Sequence, residues 1–419
     1  MKKRESKNLP FKNCPICQIL DSETILTLDC GNLDNSKLYP TIRIKNCPKC
    51  GHIFNEISKN ELDGLNTYYN IEYAPANLNA IDTTGDRPGS AGNLTTDRYT
   101  QLYNSLSPYV TAQYEILDVG CAMGGFLDFL RQKGFSRLSG VDMTQTYVEQ
   151  ALRKNLYRIE LGNAESLPFS DHTFDAIVME QVLEHLVNPV KAFKEVKRVL
   201  KNRGVFCIGV PDASRYSDFY FFDFYWLLLR EHIQHFDIDH LNLLAMREGF
   251  EMLECHQTAH TVMSEQMIMP NLYVIFRLTG SKDKISKMNL DNSKLKQQMM
   301  NYIDKEKSRQ LVKSCKIVEL SKSRRPVYAW GIGREFLYLY ESAGLKKCNI
   351  SGLIDANKFK QKSCTVDGMK IADGRNLLQK ASADSVLVIT AIAHTDSIKN
   401  AAKTLGFKGE ISDLNISSY

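Results

Sequence analysis

"YEILDVGCAMGGFLDFLRQKGF", residues 114–135, decides the fold. It reads as a short apolar strand, a glycine-rich turn and an amphipathic helix. About twenty residues on, "LSGVDMT" (138–144) reads as a second strand closed by Asp142. Strand, glycine turn, helix and terminal carboxylate form the first half of a doubly wound nucleotide site, in which the carboxylate accepts from ribose hydroxyls. Taken alone, the pattern could hold a nicotinamide dinucleotide.

The next stretch argues otherwise. "GNAESLPFSDHTFDAIVMEQVLEHL" (162–186) reads as a polar loop around Asn163 to Glu165, a strand from Phe174 to Met179, and a segment from Glu180 to His185. Over residues 112 to 275 the chain resembles the class I S-adenosylmethionine-dependent methyltransferases, in which these pieces occur in this order. The resemblance implies that Asp118, Gly120 and Gly124 shape the methionine and ribose end of the pocket, that Asp142 holds the ribose, and that Asn163 and Ala164 sit by the adenine. Cys121, Met143 and Glu180 complete the candidate cofactor contacts. Ala122 stands where the family has its middle glycine, and Asn163 where it often has Asp. Ala still permits close approach, and Asn can both donate to and accept from an adenine edge.

Upstream, "CPIC" (Cys14, Cys17) is answered by "CPKCGH" (Cys47, Cys50). Two Cys-x-x-Cys pairs place four thiolates for a closed tetrahedral zinc site, with "TILTLDC" and "PTIRIKNC" as strands spanning the interval. A redox motif would show a single pair beside a βαβ unit. Cys30 and His52 read as bystanders, because four thiolates complete a structural site. Such a site folds a small module and leaves the central pocket's chemistry formally intact.

Downstream of a strand and loop in "GVFCIGVPDASRY" come the aromatic run "FYFFDFYW" (219–226) and "LLLREHIQHFDIDHL" (227–241). In a doubly wound sheet ligands lie beyond the carboxyl ends of the strands, so this segment is expected over the methyl donor. The aromatic run could form a helix walling the pocket or simply pack. His232 and His235, three apart, could share a helix face, but the pattern fixes no carboxylate for a metal. His235 and His240 read as structural, beside a helix capped by Asp237 and ended by Gly249.

"RRPVYAWGIGREFLYLYESAGL" (324–345) opens a second strand, glycine turn and helix, and "NISGLIDAN" ends a strand at Asp355. "ADSVLVITA" supplies a third strand. The expected divisions are a zinc-binding module over 1–66, a connector or lid over 67–111, an S-adenosylmethionine-binding domain over 112–279, a solvated helical linker over 280–323 and a smaller Rossmann-like domain over 324–419. The fold class is α/β, with a zinc-ribbon-like front module.

That organisation resembles the three-domain C-methyltransferases that act on nucleotide-linked keto-deoxysugars. In that family a Glu-His pair matching Glu231 and His232 supports catalysis, with His as general base. The resemblance also implies a tyrosine from the connector, Tyr69 or Tyr73, and a substrate nucleotide held by the last domain, with Gly331, Gly333, Arg334 and Asp355 as candidate contacts. An imidazole suits removal of a proton next to a carbonyl near neutral pH. Glu231 would bond a sugar hydroxyl rather than orient His232, since adjacent side chains diverge. O- or N-methylation of another small molecule, and a zinc-containing binding protein with a vestigial pocket, are the competing readings.

Composition sets the outer bounds. A chain of 419 residues suggests two to four domains, and 43% hydrophobic with 24% charged residues is the balance of a folded protein. Net charge of +5 gives little reason to expect nucleic-acid binding. "MKKRESKNLP" is not followed by an apolar core, and the longest greasy stretch, Phe219 to Leu229, is broken by Asp223, so neither a signal peptide nor a membrane span is expected. Eleven cysteines, four paired and others such as Cys121, Cys207 and Cys255 single in apolar segments, fit a cytoplasmic protein. The oligomeric state is not encoded in any motif.

Overall fold

A computed structural model describes residues 13–74, 92–153, 158–219, 224–262, 267–280 and 291–414. The "TTGDRPGSAGN" part of the expected connector, through residue 91, and residues 220–223 of the aromatic run lie outside the described residues, as does the start of the expected linker.

The front module carries strands β1 (Glu23–Asp29), β2 (Thr41–Asn46) and β3 (Ile53–Asn55), then helix α1 (Lys59–Tyr68). β1 alternates between core and solvent, so one face of the sheet packs and the other is wet. α1 starts at a capping box: Ser58 accepts from the Glu61 amide, and Glu61 reaches back to the Ser58 amide. The helix runs across the expected boundary at residue 66 and continues into one wider, π-type turn, Tyr69–Tyr73.

The central unit follows α2 (Asn93–Leu106) with β4 (Ile116–Val119), α3 (Gly125–Gln132), β5 (Leu138–Asp142), α4 (Gln145–Arg153), β6 (Arg158–Leu161), β7 (Phe174–Glu180), α5 (Pro189–Val199) and β8 (Leu200–Pro211). β9 (Gln234–His235), α6 (Ile238–Glu248), β10 (Phe250–Val262) and β11 (Met267–Leu278) complete it. The sheet order is β10-β11-β8-β7-β4-β5-β6. β4 pairs in parallel with both β5 and β7, and the order reverses at β4, which is where a doubly wound sheet opens its ligand crevice. β4 is buried along its whole length, as a central strand covered by helices on both faces must be. α6 is capped by Asp237 and ends at Gly249 with φ +89°, as the sequence indicates.

β9 belongs to a different sheet. It pairs antiparallel with β3, in the order β1-β2-β3-β9, so the segment carrying Glu231 and His232 is stitched to the cysteine module. The Asn55 amide also donates to the Ile233 carbonyl at 2.7 Å.

The last unit begins with α7 (Lys294–Ser323), then β12 (Pro326–Trp330), α8 (Arg334–Glu341), β13 (Asn349–Ile354), α9 (Lys358–Ser363), β14 (Thr365–Val366), β15 (Met369–Ala372), α10 (Arg375–Gln379), β16 (Val386–Ile389), α11 (Thr395–Thr404) and β17 (Glu410–Asp413). Its sheet order is β14-β15-β13-β12-β16-β17. The expectation of a solvated linker helix is corrected here. Leu295, Met299, Tyr302, Ile303 and Ile317 of α7 are buried. The polar residues on that face are held as pairs, buried Glu306 with half-buried Arg309 and buried Lys313 with Glu335 of α8, and this made a helix with one packed face read as solvated. Among the described residues no helix is long and apolar enough to cross a membrane.

Candidate active site

The chain leaves β4 through three left-handed residues, Gly120 (φ +80°), Ala122 (φ +45°) and Gly124 (φ +80°). A Cβ on Gly120 would stand 2.3 Å from Cγ2 of Val182, so glycine is required there. Asp142 clasps the turn: its Oδ2 accepts from the Ala122 amide at 2.9 Å and its Oδ1 from the Thr144 amide at 2.8 Å. Cys121 tucks beneath, against Gly140, where a Cβ would lie 2.6 Å from its Sγ.

Burial pushes the Asp118 carboxyl up to about 8, with Glu180 and Asp142 adding to the effect and Arg98 opposing it. Glu180 pairs with Arg98 Nε at 3.2 Å and accepts from the Tyr273 hydroxyl at 3.4 Å. The candidate cofactor residues Asp118, Gly120, Cys121, Gly124, Asp142 and Glu180 therefore meet around one turn. The Gly162 amide donates to the Asp142 carbonyl at 2.9 Å, which brings Asn163 and Ala164 to the rim. Met143 is 39% exposed and Leu161 50%, two apolar side chains beside that rim that an adenine ring would cover. The left-handed turn, the Asp142 carboxyl held by two amides and this apolar rim fit an adenosyl cofactor.

Sequence reasoning missed Arg98 and Tyr273, which both meet Glu180, and His260, which is buried on β10. Thr258 and Asn271 are cross-strand partners, and His260 lies two residues further along the same face. Neither ring nitrogen of His260 has a hydrogen-bond partner, nor has Nδ2 of Asn271. These residues sit in ordinary strand and helix patterns, and nothing local distinguishes them.

The histidines separate into two groups. Residues 229–232 form a turn, closed by the His232 amide on the Leu229 carbonyl at 3.0 Å, so the shared helix face for His232 and His235 does not exist. His232 Nδ1 lies 3.3 Å from the Leu227 carbonyl. A carbonyl only accepts, so Nδ1 carries the hydrogen and Nε2 keeps its lone pair. Burial drives the His232 pKa well below its ordinary value, helped by His185 and His235. The His185 ring packs edge-on against His232 at 5.0 Å, and its Nδ1 donates to the Glu231 carbonyl at 2.8 Å. His185 was named only within a family pattern; its contact with His232 crosses sequence distance that no spacing reveals.

Glu231 turns away from His232. Its Oε1 accepts from the Tyr68 hydroxyl at 3.1 Å, while its buried Oε2 has no hydrogen-bond partner. The Tyr69 hydroxyl lies 3.1 Å from His185 Nδ1, and the Tyr73 ring packs against Tyr68 and Tyr69 at 6.0 and 5.5 Å. Of the two tyrosines left open by the sequence, Tyr69 stands beside the histidine pair and Tyr73 packs behind it on Tyr68 and Tyr69. His235 faces the Tyr216 hydroxyl at 3.4 Å, and His240 bonds Asp237 and the Cys50 carbonyl, so both serve structure. In the described part of the aromatic run, Trp226–Leu228 make one tight turn. Phe224 stacks on Tyr338 at 4.0 Å, and the Leu227 amide donates to the Tyr302 hydroxyl, so these rings dock the central unit on α7 and α8.

Cys14, Cys17, Cys47 and Cys50 converge, with sulfurs 3.7 Å apart for Cys14 and Cys50 and 3.4 Å for Cys17 and Cys47. Zn–S bonds of about 2.3 Å in a tetrahedron put sulfurs roughly 3.8 Å apart, so these four could hold zinc with little movement. Cys30 lies elsewhere in the core, and His52 bonds Gln234 at 2.9 Å.

At the second glycine turn, Gly331 has φ +106° and Gly333 caps α8. The Arg334 guanidinium stacks over Trp226 at 4.4 Å, so the start of α8 packs against the segment that leads into His232. Asp355 is fully engaged by its own domain: Oδ2 accepts from the Ile332 amide and Lys360, and Oδ1 from the Asn357 amide. A cleft of about 590 Å³ opens between the cysteine module and residues 187–191, floored by Phe54, Ile233 and Gln234. None of the candidate catalytic residues lines it.

Residues 117–208 match the family model described as "Methyltransferase domain". Over 120 residues the chain is 38% identical to an uncharacterized methyltransferase of Schizosaccharomyces pombe, covering 25% of this chain and 42% of that protein. It is 34% identical over 122 residues to a demethylmenaquinone methyltransferase of Symbiobacterium thermophilum, covering 26% and 48%. A solved S-adenosylmethionine-dependent methyltransferase structure from Methanosarcina mazei superposes with a TM-score of 0.35 at 22% identity, over 42% of this chain and 97% of that one. The matches span about half or less of the curated relatives' length.

Proposed function

We propose that this protein is an S-adenosylmethionine-dependent methyltransferase. The observation that carries the reading is the coincidence of the matched segment, residues 117–208, with the reversal point of the sheet, where the left-handed turn and the Asp118 and Asp142 carboxylates meet. S-adenosylmethionine supplies an electrophilic methyl group when bound. Asp142 would orient the ribose, Asp118 and Glu180 with Arg98 the charged end, and Met143, Asn163 and Ala164 the adenine.

We infer further that the acceptor is carbon in a nucleotide-linked keto-deoxysugar. Carbon becomes nucleophilic only after a proton next to a carbonyl is removed, and the bare Nε2 of buried His232 is suited to take it. Glu231, with one carboxylate oxygen unpaired, would accept from a sugar hydroxyl. The second glycine turn and Arg334, at the start of α8 packed against the segment that leads into His232, would meet the nucleotide diphosphate. The four cysteines would hold a structural zinc ion that braces β3, and through β9 the catalytic turn.

The test is incubation with S-adenosylmethionine and a panel of nucleotide-linked keto-sugars in heavy water, followed by mass spectrometry. Deuterium uptake beside the carbonyl, lost in His232→Ala with cofactor binding intact, is expected. Methyl transfer without exchange would move the acceptor to oxygen or nitrogen.

A further inference from the structure

Glu184, His185 and His232 each offer a ligand atom, and these atoms lie within 4.8 Å of one another, with Glu184 and His232 buried and His185 half-buried. Glu184 is 1% exposed, and neither of its carboxylate oxygens has a hydrogen-bond partner. An ionised carboxylate there is costly; burial pushes the Glu184 carboxyl up to about 8, so it either keeps its proton or meets a bound cation. His185 Nε2 stands 3.8 Å from its Oε1.

Both imidazoles are arranged as metal ligands usually are. Each directs Nδ1 to a backbone carbonyl, His185 to Glu231 and His232 to Leu227, which fixes the tautomer and leaves Nε2 as a lone pair. Two imidazole nitrogens and one carboxylate suit zinc, cobalt, nickel or ferrous ions. Metal–ligand bonds of about 2.0–2.2 Å place donors roughly 3.4 Å apart, so the three would draw together by about 1 Å, the imidazoles moving as well as Glu184.

We propose that Glu184, His185 and His232 form a second divalent-metal site, separate from the four cysteines, whose occupancy switches the enzyme off. The proposal rests on the reading of His232 as base. An ion bound there takes the Nε2 lone pair that would otherwise accept the substrate proton, so the metal-bound state cannot form the enolate.

The experiment uses the full chain with its cysteine site filled with zinc, titrated with Co²⁺. Binding is read by equilibrium dialysis with metal analysis and by visible absorption, and methyl transfer is assayed across the same titration. One further Co²⁺ per chain is expected, with weak ligand-field bands and no intense thiolate charge-transfer band. Glu184→Gln and, separately, His185→Gln should each weaken that binding at least tenfold, with thermal unfolding confirming the fold of both. Turnover should fall in proportion to occupancy. No extra ion, or binding unmoved in both variants, would overturn the site irrespective of any activity. An extra ion that leaves turnover unchanged or raises it would overturn the switch and, in the second case, the base role of His232 as well.

Discussion

His185 donates from Nδ1 to the backbone carbonyl of Glu231 at 2.8 Å, and this bond ties the loop after β7 to the turn that presents His232. The residues are far apart in sequence and belong to separate excursions from the sheet, so the bond fixes the position of the candidate base relative to the end of β7. His185→Phe keeps the ring volume and removes the donor. Turnover should fall about a hundredfold, the size of effect that a misplacement near 1 Å produces. Cofactor affinity, measured by calorimetry, should stay near wild type. Stability should drop by about 1–3 kcal/mol, because the Glu231 carbonyl loses its partner in a buried place.

Ala122 adopts φ +45° in the turn below the cofactor, a conformation that an L side chain enters with strain. Ala122→Gly relieves that strain at the cost of a more flexible unfolded chain. The net expectation is a gain of about 0.5–1 kcal/mol in urea unfolding with cofactor binding retained. A loss of stability would mean that the Ala122 methyl contributes more through its contacts with Tyr147 and Ala74 than the turn loses in strain.

The cysteine module is bonded to the segment that carries His232, so loss of its metal is expected to reach the proposed chemistry as well as stability. The Cys50 carbonyl accepts from His240 Nε2 at 2.7 Å, and β3 pairs with β9 two residues after His232. Cys47→Ser should release zinc, lower the unfolding midpoint and reduce turnover together. Unchanged metal content in that variant would remove the zinc assignment; unchanged turnover with zinc lost would show that β9 holds its place without it.

What could be read from the sequence was local. The turn from Asp118 to Gly124, the carboxylate of Asp142, the paired cysteines and the Asp237 and Gly249 caps all declare themselves within a few residues, because backbone conformation and ligand geometry demand particular side chains there. The pairing of β9 with β3 was not legible: it involves two residues on each strand and depends on how the whole segment folds back. Glu306 and Lys313 hid the burial of α7, because buried ion pairs use the same residues as solvated surfaces. Arg98 of α2, Glu180 of β7 and Tyr273 of β11 are brought together by three different elements, and only tertiary packing reveals that they meet.

Buried histidines make stability fall with acid. Burial pushes His52, His235 and His260 down to about 3. For such a group the unfolded chain binds the proton first, so stability is full above the unfolded pKa of about 6.5 and is lost as pH falls from there toward 3. The slope approaches about 1.4 kcal/mol per pH unit for each buried histidine. Urea midpoints measured from pH 7.5 to 5 should decline steeply, and His235→Gln should flatten the curve. A flat curve in the wild type would mean that these rings reach solvent.

The same physics fixes the acid limb of activity. The base form of His232 is the neutral ring, and burial, with His185 and His235 adding their influence, holds its pKa well below 6.5. A depressed pKa keeps the ring neutral further into acid, so kcat/KM should show no ionisation near 6.5 from this residue, and any acid limb that belongs to it should lie lower. The profile of His185→Phe provides the comparison: removing one of the neighbours that depresses His232 should move that limb upward. A wild-type limb at 6.5 that disappears in no histidine variant would belong to the substrate, and one that shifts in His185→Phe would show that His232 is hydrated in the working enzyme.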